Sequence, residues 1–299
     1  MSLVLVLIAN PLAPSVDEAL VARVGEALDA EPRVLAVGVA AEFVVPDGDP
    51  RAIRVEVADL VGDAPVDVAV LPAEGRRKRM LIADMDSTMI EQECLDELAG
   101  AMGLKDRVSA ITDRAMRGEI AFEPALRERV AMLEGLKIDE AIADLLSGAI
   151  TLTPGAGALV ATMRLNGAYA ALISGGFTLF TGPIASRLGF DEHRANVLES
   201  VDGRLTGTVR EPILGREAKL QTLNELAAAH GVPLSATLAV GDGANDLAML
   251  SAAGLGVAFR AKPAVAEAAQ VRIDHGDLTA LLYLQGYAEH EIAGHEGAA

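Results

Sequence analysis

The stretch Leu81–Thr88, which reads LIADMDST, decides the fold of this chain. An apolar run, Met80–Ala83, ends there in two aspartates, Asp84 and Asp86. A short apolar run bounded by polar turn residues is typical of a buried strand, and open α/β sheets bind ligands at the carboxyl ends of their strands. Because residues two apart on a straight strand share a face, a sharp turn after Asp84 is needed to bring backbone and carboxylates around one site. We therefore expect a central strand that delivers two carboxylates to a ligand.

Two other predicted strands end in turns that suit the same chemistry. These turns are Ser174-Gly175-Gly176 and the sequence GDGAND, which contains Asp242, Asn245 and Asp246. Lys219, near the start of a predicted helix, lies between them in the sequence. Carboxylate oxygens suit Mg²⁺, whereas a hydroxyl, glycine N–H groups and a lysine suit phosphate oxygens. Since parallel strands bring their carboxyl ends to one edge, these groups are expected to meet there.

Each of these groups alone has a simpler explanation. The first stretch fits an acidic turn that caps a helix, and the glycine pair fits an ordinary strand-to-helix turn. A lone lysine on a helix is usually solvated, and GDGAND fits a calcium-type turn or an N-cap turn. Their order and spacing together are far more specific than any one of the four groups alone.

Composition and charge limit the classes of protein to which the chain can belong. It has 299 residues, enough for two to three domains, and 51% of them are hydrophobic, with only 3% aromatic and no Trp. The net charge of −18 disfavours nucleic acid and anionic membrane surfaces as partners. An acidic protein that binds an anionic substrate needs a local positive cluster or a bound cation, and we expect a metal.

Cysteine usage and the N-terminal stretch indicate a cytoplasmic protein. The single cysteine, Cys94, excludes an intramolecular disulfide framework and lies on an apolar helix face, where we expect a buried thiol. The stretch Met1–Ser15 has no basic start, and its apolar run is too short for a secretory signal or a membrane span.

The first 74 residues are predicted to form a small α+β domain. Strands are expected at 3–9, 34–39, 53–57 and 66–71, and a helix at 16–30 with Ser15 as its N-cap. No catalytic constellation is present, so a packing or homodimerisation module is favoured over a regulatory site for a small ligand. The basic run Gly75–Arg79, GRRKR, is interpreted as a solvated hinge that makes this domain separable.

Residues 78–285 are predicted to form an α/β core with a Rossmann-like parallel sheet. Helical spacing at about 91–150, directly after the first strand and its loop, predicts a helical cap that could close as a lid. An α/β pattern resumes at Thr153, with a hairpin predicted around Asp202-Gly203. Residues 286–299 are expected to be a frayed tail.

At this point the sequence resembles the haloacid dehalogenase superfamily. The order D-x-D-x-T, then S, then K, then G-D-x-x-x-D is that superfamily's signature, and the segments DMDSTMIEQECLDELA, FEPALRERV, LISGGF, DGRLTG and AVGDGANDLAML resemble its phosphoserine phosphatase family. The resemblance covers about Lys78–Leu284 and leaves the first domain outside. It implies Mg²⁺-dependent hydrolysis of O-phosphoserine through an aspartyl-phosphate, as the last step of serine biosynthesis.

The resemblance also implies a role for each matched residue. Asp84 is the expected nucleophile, and Asp86 the expected general acid and then base. Mg²⁺ is expected at the Asp84 carboxylate, the Asp86 backbone carbonyl and Asp242. The other implied residues are Glu93 for the substrate ammonium, Arg129 for its carboxylate, Ser174, Gly175 and Lys219 for the phosphoryl group, Phe122 and Met116 as walls that close the pocket, and Asn245 and Asp246 as supports of the metal site, with Asn245 counted among the substrate-binding residues.

Other functions stay open from the sequence. A related hydrolase for another small phosphomonoester, or a phosphotransferase that uses an acceptor alcohol, would carry the same core residues. A regulatory protein that senses an amino acid through residues 1–74 would keep the fold with a silent site, although the intact Asp84, Asp86 and Lys219 argue against silence. A cation pump is excluded because no membrane span is predicted.

Overall fold

The strand that ends at Asp84 lies in the middle of a six-stranded parallel sheet. The computed structural model describes residues 2–116 and 119–294, apart from the side chains of Asp113 and Met116. In chain order the strands are β1 (Leu3–Ala9), β2 (Pro32–Ala36), β3 (Ala40–Val45), β4 (Val66–Pro72), β5 (Met80–Ala83), β6 (Tyr169–Phe177), β7 (Glu192–Asn196), β8 (Leu198–Val201), β9 (Arg204–Val209), β10 (Thr237–Gly241), β11 (Leu255–Phe259) and β12 (Val271–Ile273). The helices are α1 (Glu18–Leu28), α2 (Pro50–Val61), α3 (Cys94–Gly100), α4 (Lys105–Met116), α5 (Phe122–Ala131), α6 (Ile138–Asp144), α7 (Ala156–Leu165), α8 (Thr178–Leu188), α9 (Arg216–Ala229), α10 (Leu247–Ala252), α11 (Pro263–Ala268) and α12 (Ala280–Leu284).

The central sheet has the order β12-β11-β10-β5-β6-β7, with every neighbouring pair parallel. Ile82 of β5 pairs with Ala239 on one side and with Ala171 on the other. All four residues of β5 are fully buried, as expected for a parallel strand that helices cover on both faces. The predicted α/β core with a parallel sheet is thereby confirmed.

Helices cover both faces of this sheet. On one face, Leu223 of α9 and Leu250 of α10 belong to the same apolar cluster as Ile82. On the other, Leu159 of α7 and Leu281 of α12 share a cluster with the adjacent residue, Leu81. Successive strand residues point to opposite faces, so β5 contributes to both layers. The carboxyl ends of the strands remain open at one edge.

A helical cap, α3–α6, is inserted directly after the first loop of the core. The two segments that connect it to the core run side by side: Glu91 N donates to Thr151 O over 3.1 Å, and Thr153 N donates to Met89 O over 3.0 Å. The hairpin β8–β9 also belongs to the cap side, because Gly135 N donates to Leu205 O and Leu205 N donates to Leu136 O. The cap therefore joins the core through two neighbouring segments, and the hairpin β8–β9 packs against the cap.

The N-terminal sheet is antiparallel, with the order β2-β3-β1-β4. Its strand β1 is buried on both faces. Leu5 and Leu7 share an apolar cluster with α1 and α2, whereas Val4 and Val6 belong to the main cluster together with Leu281 of α12. This sheet is therefore packed onto the α/β core rather than set apart from it.

The interpretation of Gly75–Arg79 as a solvated hinge is wrong. The Arg76 side chain is only 11% exposed, and its Nη1 lies 2.7 Å from Glu42 Oε2, which belongs to the N-terminal sheet. The remaining Arg76 N–H groups donate to two carbonyls at the carboxyl end of α12. On β4, the Asp67 carboxylate accepts hydrogen bonds from the backbone N–H groups of residues 274–276. Arg76 and Asp67 thus join the N-terminal sheet to the core by buried polar contacts, whereas Gly75, Arg77 and Arg79 are exposed.

The prediction of a strand at 53–57 is also wrong, because that segment lies in helix α2. Asp49 accepts a hydrogen bond from Arg51 N, and Pro50 occupies the first helical position, both strong signals for a helix start. Val57 and Val61, four residues apart, share the buried face. The sheet instead gains β3, whose residues Ala40–Val45 were not predicted as a strand. Helix α1 likewise begins after Asp17, not Ser15.

The tail predicted to fray from residue 286 is packed as far as the structure describes it. Tyr287 is 1% exposed and Ile292 is 7% exposed, and Ala293 N donates to Thr162 Oγ1 of α7 over 2.8 Å. Residues 295–299 lie outside the described part. Within residues 2–116 and 119–294, every helix is too short or too polar to cross a bilayer.

Candidate active site

A sharp turn after β5 directs two carboxylates into the open edge of the sheet. Asp84 N donates to Val240 O over 3.0 Å, which extends the pairing between β5 and β10 by one residue. Ser87 then adopts a φ of 52°, a left-handed conformation that is uncommon for a residue other than glycine. The chain folds back within five residues, since Ile90 N donates to Met85 O. The turn expected after Asp84 is present.

Lys219 lies at the centre of the site and is completely buried. Its Nζ is 2.7 Å from Asp84 Oδ1 and 2.6 Å from Asp246 Oδ1. Burial alone lowers the pKa of a lysine, but here the two carboxylates outweigh it and raise the pKa of Lys219. Lys219 is therefore a fixed cation beside the Asp84 carboxylate at any physiological pH.

Three carboxylates converge at this point in a geometry that fits a divalent cation. Carboxylate oxygens of Asp84, Asp242 and Asp246 lie within 4.8 Å of one another, and all three residues are buried. Burial, followed by the negative charge of Asp246, raises the pKa of Asp84 well above its ordinary value and that of Asp242 to about 6. Two lysines, the buried Lys219 and the half-exposed Lys262, do not neutralise three buried carboxylates. A bound cation with oxygen ligands would therefore relieve the repulsion among them. Of the predicted metal residues, Asp84 and Asp242 belong to this carboxylate cluster. The ligand expected from Asp86 is its backbone carbonyl, and that role stays a prediction.

The Asp86 carboxylate points to a different set of partners. Its Oδ1 accepts a hydrogen bond from Cys94 N over 2.8 Å, and its Oδ2 accepts one from Ser174 Oγ over 3.1 Å. Burial raises the pKa of Asp86, although the hydrogen bonds from Cys94 and Ser174 act in the opposite direction. A carboxyl group with a raised pKa beside the carboxylate cluster can carry a proton to a reacting oxygen.

The turn after the apolar part of β6 requires its glycines. A Cβ atom at Gly176 would lie 2.8 Å from Asp86 Oδ2 and 3.0 Å from Ser174 Oγ, so a side chain there would displace the acid. Gly176 N donates to Ser174 Oγ over 2.8 Å. At Gly175, a Cβ atom would lie 3.3 Å from the Phe122 ring. Phe122 from the cap thus lies directly over the glycine turn.

Glu93 closes the cap side of the site next to Asp86. Its Oε1 accepts a hydrogen bond from Ser87 Oγ over 2.7 Å. Burial, followed by the charge of Asp86, raises the pKa of Glu93 to about 7. Glu93 is therefore close to half ionised at neutral pH, and a cationic group on a ligand would complete its ionisation.

Arg129 of α5 is half-buried and is held by neutral partners. Its Nη1 donates to Thr112 Oγ1 over 3.0 Å and its Nε donates to Ala125 O over 3.1 Å. Among the described residues, no carboxylate oxygen lies within 4 Å of its guanidinium. Burial lowers the pKa of Arg129, and the charges of Asp96, Glu93 and Asp86 act against that shift. Arg129 thus retains capacity to bind an anion.

The predicted site residues can now be compared with their positions. The residues found at the open edge or on the cap side facing it are Asp84, Asp86, Glu93, Phe122, Ser174, Gly175, Lys219, Asp242, Asn245 and Asp246. Arg129 lies on the cap with Thr112, and the charges of Glu93 and Asp86 reach it. The Met116 side chain lies outside the described residues, so its role as a pocket wall stays a prediction.

Two residues that support the site were missed. Asn196, at the end of β7, is 2% exposed and bridges the turns before and after it: its Nδ2 donates to Gly175 O and its Oδ1 accepts from Leu214 N. Strand β7 reads EHRAN, too polar to be recognised as a strand. Lys262, whose Nζ lies 3.5 Å from Asp242 Oδ2, follows β11. Its position just past a predicted strand end was the signal that could have identified it.

Sequence comparisons give the same assignment for the core. The sequence model of the haloacid dehalogenase-like hydrolases matches residues 81–251. A phosphoserine phosphatase from Streptomyces coelicolor is 42% identical over 297 residues, which make up 97% of this chain and 72% of that protein. This match includes the N-terminal sheet as well as the core.

Comparison of structures gives a similar result over most of the chain. A haloacid dehalogenase family hydrolase from Salmonella enterica superposes with a TM-score of 0.83 at 30% identity, over 95% of this chain and 98% of its own. A substrate-bound phosphoserine phosphatase superposes with a TM-score of 0.64 at 38% identity, over 69% of this chain and 98% of its own.

Proposed function

The chain belongs to the haloacid dehalogenase-like hydrolase family, and from this premise we propose that it hydrolyses O-phospho-L-serine to L-serine and phosphate. The observation that carries the proposal is the pair of charged groups on the cap. Glu93 and Arg129 lie over a phosphoryl-transfer site and match the ammonium and the carboxylate that phosphoserine carries beyond its phosphate. The similar proteins named phosphoserine phosphatase support the same substrate.

In the proposed first step, an Asp84 carboxylate oxygen attacks phosphorus and the bond from phosphorus to the serine oxygen breaks. The leaving serine oxygen takes the proton of Asp86, whose pKa is raised by burial, which favours the protonated form that a general acid needs. The product is an acyl phosphate on Asp84. Lys219, 2.7 Å from the attacking carboxylate, offsets the repulsion between that carboxylate and the phosphate.

In the proposed second step, water attacks phosphorus of the acyl phosphate. Asp86, now ionised, accepts a proton from this water, the bond between Asp84 and phosphorus breaks, and phosphate leaves. Ser174 fixes the direction of Asp86 throughout, because its Oγ donates to Asp86 Oδ2 while accepting from Gly176 N. The site returns to its starting protonation state after each turnover.

We propose Mg²⁺ as the cation held by Asp84 and Asp242, with Asp246 beside them. When bound, Mg²⁺ would supply charge neutralisation for the transferred phosphoryl group. Three buried carboxylates against two lysines, one of them half-exposed, fit this ion, which prefers oxygen ligands and keeps several waters. L-serine as product fits the last step of serine biosynthesis.

The test is phosphate release from a panel of small phosphomonoesters, with Mg²⁺ and with a chelator. We expect phosphoserine to exceed phosphoethanolamine and glycerol phosphate in kcat/KM, and the chelator to abolish turnover. A preference for a substrate that lacks the carboxylate and ammonium would favour another phosphomonoesterase. Transfer to an added alcohol in excess of phosphate release would favour a phosphotransferase.

A further inference from the structure

A carboxylate near Arg129 takes no part in the proposed chemistry and lacks a full set of partners. Asp96 of α3 is half-buried, and its Oδ2 accepts a hydrogen bond from Ser109 Oγ over 2.7 Å. Its Oδ1 is shielded from solvent and has no hydrogen-bond partner among the described residues. An unpaired buried carboxylate oxygen is costly, and such a group in a native fold usually has a function.

The geometry of α4 places Asp96 and Arg129 side by side. Ser109 contacts Asp96, and Thr112 contacts Arg129. Ser109 and Thr112 are three residues apart on one helix, so their side chains are neighbours on the same face. The carboxylate of α3 and the guanidinium of α5 are therefore both anchored on that face of α4.

Asp96 and Arg129 nevertheless do not form an ion pair. No carboxylate oxygen of the described residues lies within 4 Å of the Arg129 guanidinium. Two hydroxyl groups account for this separation. Thr112 Oγ1 accepts a hydrogen bond from Arg129 Nη1, and Ser109 Oγ donates one to Asp96 Oδ2. The negative charge of Asp96 still acts on Arg129 more strongly than those of Glu93 and Asp86.

We propose that Asp96 is a specificity-determining residue: a counter-charge, held off Arg129 by Ser109, that sets how strongly Arg129 attracts the carboxylate of the substrate. This inference rests on the proposed function. With Asp96 near but not in contact, Arg129 is partly neutralised and still has N–H groups free for a ligand. If Asp96 contacted Arg129 directly, the substrate carboxylate would have to displace it.

The two sides of this arrangement respond in opposite directions to substitution. Asp96→Asn removes the counter-charge and keeps the shape, so Arg129 attracts the substrate carboxylate more strongly. Ser109→Ala keeps the charge but removes the one hydrogen bond that the Asp96 carboxylate makes among the described residues. We then expect Asp96 to turn to Arg129 and to compete with the substrate. If Asp96 and Ser109 merely supported the cap, both substitutions would weaken the binding of phosphoserine and of phosphoethanolamine alike.

The experiment measures kcat and KM for phosphoserine and for phosphoethanolamine, which lacks the carboxylate, in the full-length protein. For Asp96→Asn we expect the KM for phosphoserine to fall about three- to tenfold relative to that for phosphoethanolamine, the order expected from one nearby charge that makes no contact. For Ser109→Ala we expect the ratio of the KM for phosphoserine to the KM for phosphoethanolamine to rise by at least that factor. The kcat values should stay within about twofold, because neither side chain reaches the reacting atoms.

Glu97→Gln is the matched control, because Glu97 is the next carboxylate on α3 but pairs with Lys105 over 2.6 Å. It should leave the KM ratio unchanged. The assignment of Asp96 would be overturned if the KM ratio moved in the same direction in Asp96→Asn and Ser109→Ala. It would also be overturned if the KM values for both substrates changed equally, or if Glu97→Gln changed the ratio as much. Absence of phosphoserine hydrolysis in the unmutated protein would instead overturn the proposed function, and this inference with it.

Discussion

Lys219 Nζ, which is completely buried, lies 2.7 Å from Asp84 Oδ1, whose side chain is 7% exposed at the open edge of the sheet. The lysine comes from the first turn of α9, whereas the aspartate follows β5. The contact therefore depends on the packing of α9 against the central sheet. It joins a proposed nucleophile to a fixed cation, whose other side-chain partner among the described residues is Asp246.

Asp84→Asn is expected to abolish hydrolysis and to preserve the fold. The amide is a far weaker nucleophile than the carboxylate, so no acyl phosphate forms. Phosphate release measures the loss, and reduction of the acyl phosphate by borohydride, followed by mass spectrometry, should mark Asp84 only in the unmutated protein. Activity of the variant near the original level would refute the mechanism.

Lys219→Met is expected to destabilise the protein by about 3–5 kcal/mol, because removal of one partner leaves buried carboxylates without a counter-charge. Denaturant unfolding in the presence of a chelator measures the free energy. The loss should diminish as the pH falls. Without Lys219 the buried carboxylates of the folded variant have raised pKa values, so the folded variant takes up more protons than its unfolded state. Lys262→Met, which removes a half-exposed lysine 3.5 Å from Asp242, is the control and should cost at most about 1 kcal/mol.

The pKa of Glu93, raised to about 7, predicts the acidic limb of the pH profile. Below pH 7 the carboxyl is largely neutral and binds the substrate ammonium poorly, so kcat/KM for phosphoserine should rise with pH through about 7. Glu93→Gln should remove this rise. Glycerol phosphate, which has no ammonium, controls for titration of the phosphate itself and should not show the additional rise; an identical limb for both substrates would contradict the role of Glu93.

Arg129→Ala is expected to reduce phosphoserine turnover far more than phosphoethanolamine turnover. Loss of one partner of a buried charge pair costs about 2–5 kcal/mol, which corresponds to roughly 30- to several-thousand-fold in kcat/KM. Arg127→Ala is the control on the same helix, because Arg127 is exposed and pairs with Glu211. Equal losses with both substrates would mean that Arg129 binds the phosphate or stabilises the cap.

Glu42→Gln tests the attachment of the N-terminal sheet. Glu42 is 4% exposed and pairs with Arg76 over 2.7 Å, so its neutralisation should lower the free energy of unfolding by about 3–5 kcal/mol with kcat unchanged. Glu291→Gln neutralises the partner of Arg77 in a pair whose side chains are 31% and 48% exposed, and it should cost at most about 1 kcal/mol. Equal effects of the two variants on the melting temperature would contradict the importance of the buried pair.

The core was predictable because its signals are local. A wholly apolar β5 followed by Asp84 and Asp86 identifies a strand end, and every such end lies at one edge of a parallel sheet. The N-terminal sheet was less predictable. Ile53–Val57 is β-branched at three positions, which favours a strand, yet the cap at Asp49 and Pro50 makes it a helix. Tertiary packing decides such segments.

Contacts between distant segments could not be predicted. Arg76 is one of four basic residues in a run, and nothing in the run distinguishes the one that meets Glu42. Asp96 and Ser109 likewise lie on two predicted helices whose relative rotation the sequence leaves undetermined. Homodimerisation through the first 74 residues stays a prediction, to be tested by light scattering.

Helix α12 has no solvent-exposed residue, although it lies near the end of the chain. One of its sides is covered by β1, which lies far away in the sequence. The sequence ALLYL therefore serves as an indirect marker of an upstream module. A homologous core that lacks the N-terminal sheet should carry polar residues at the positions of α12 that face β1. The five residues of this helix would therefore indicate whether a homologous fragment comes from a protein with such a sheet.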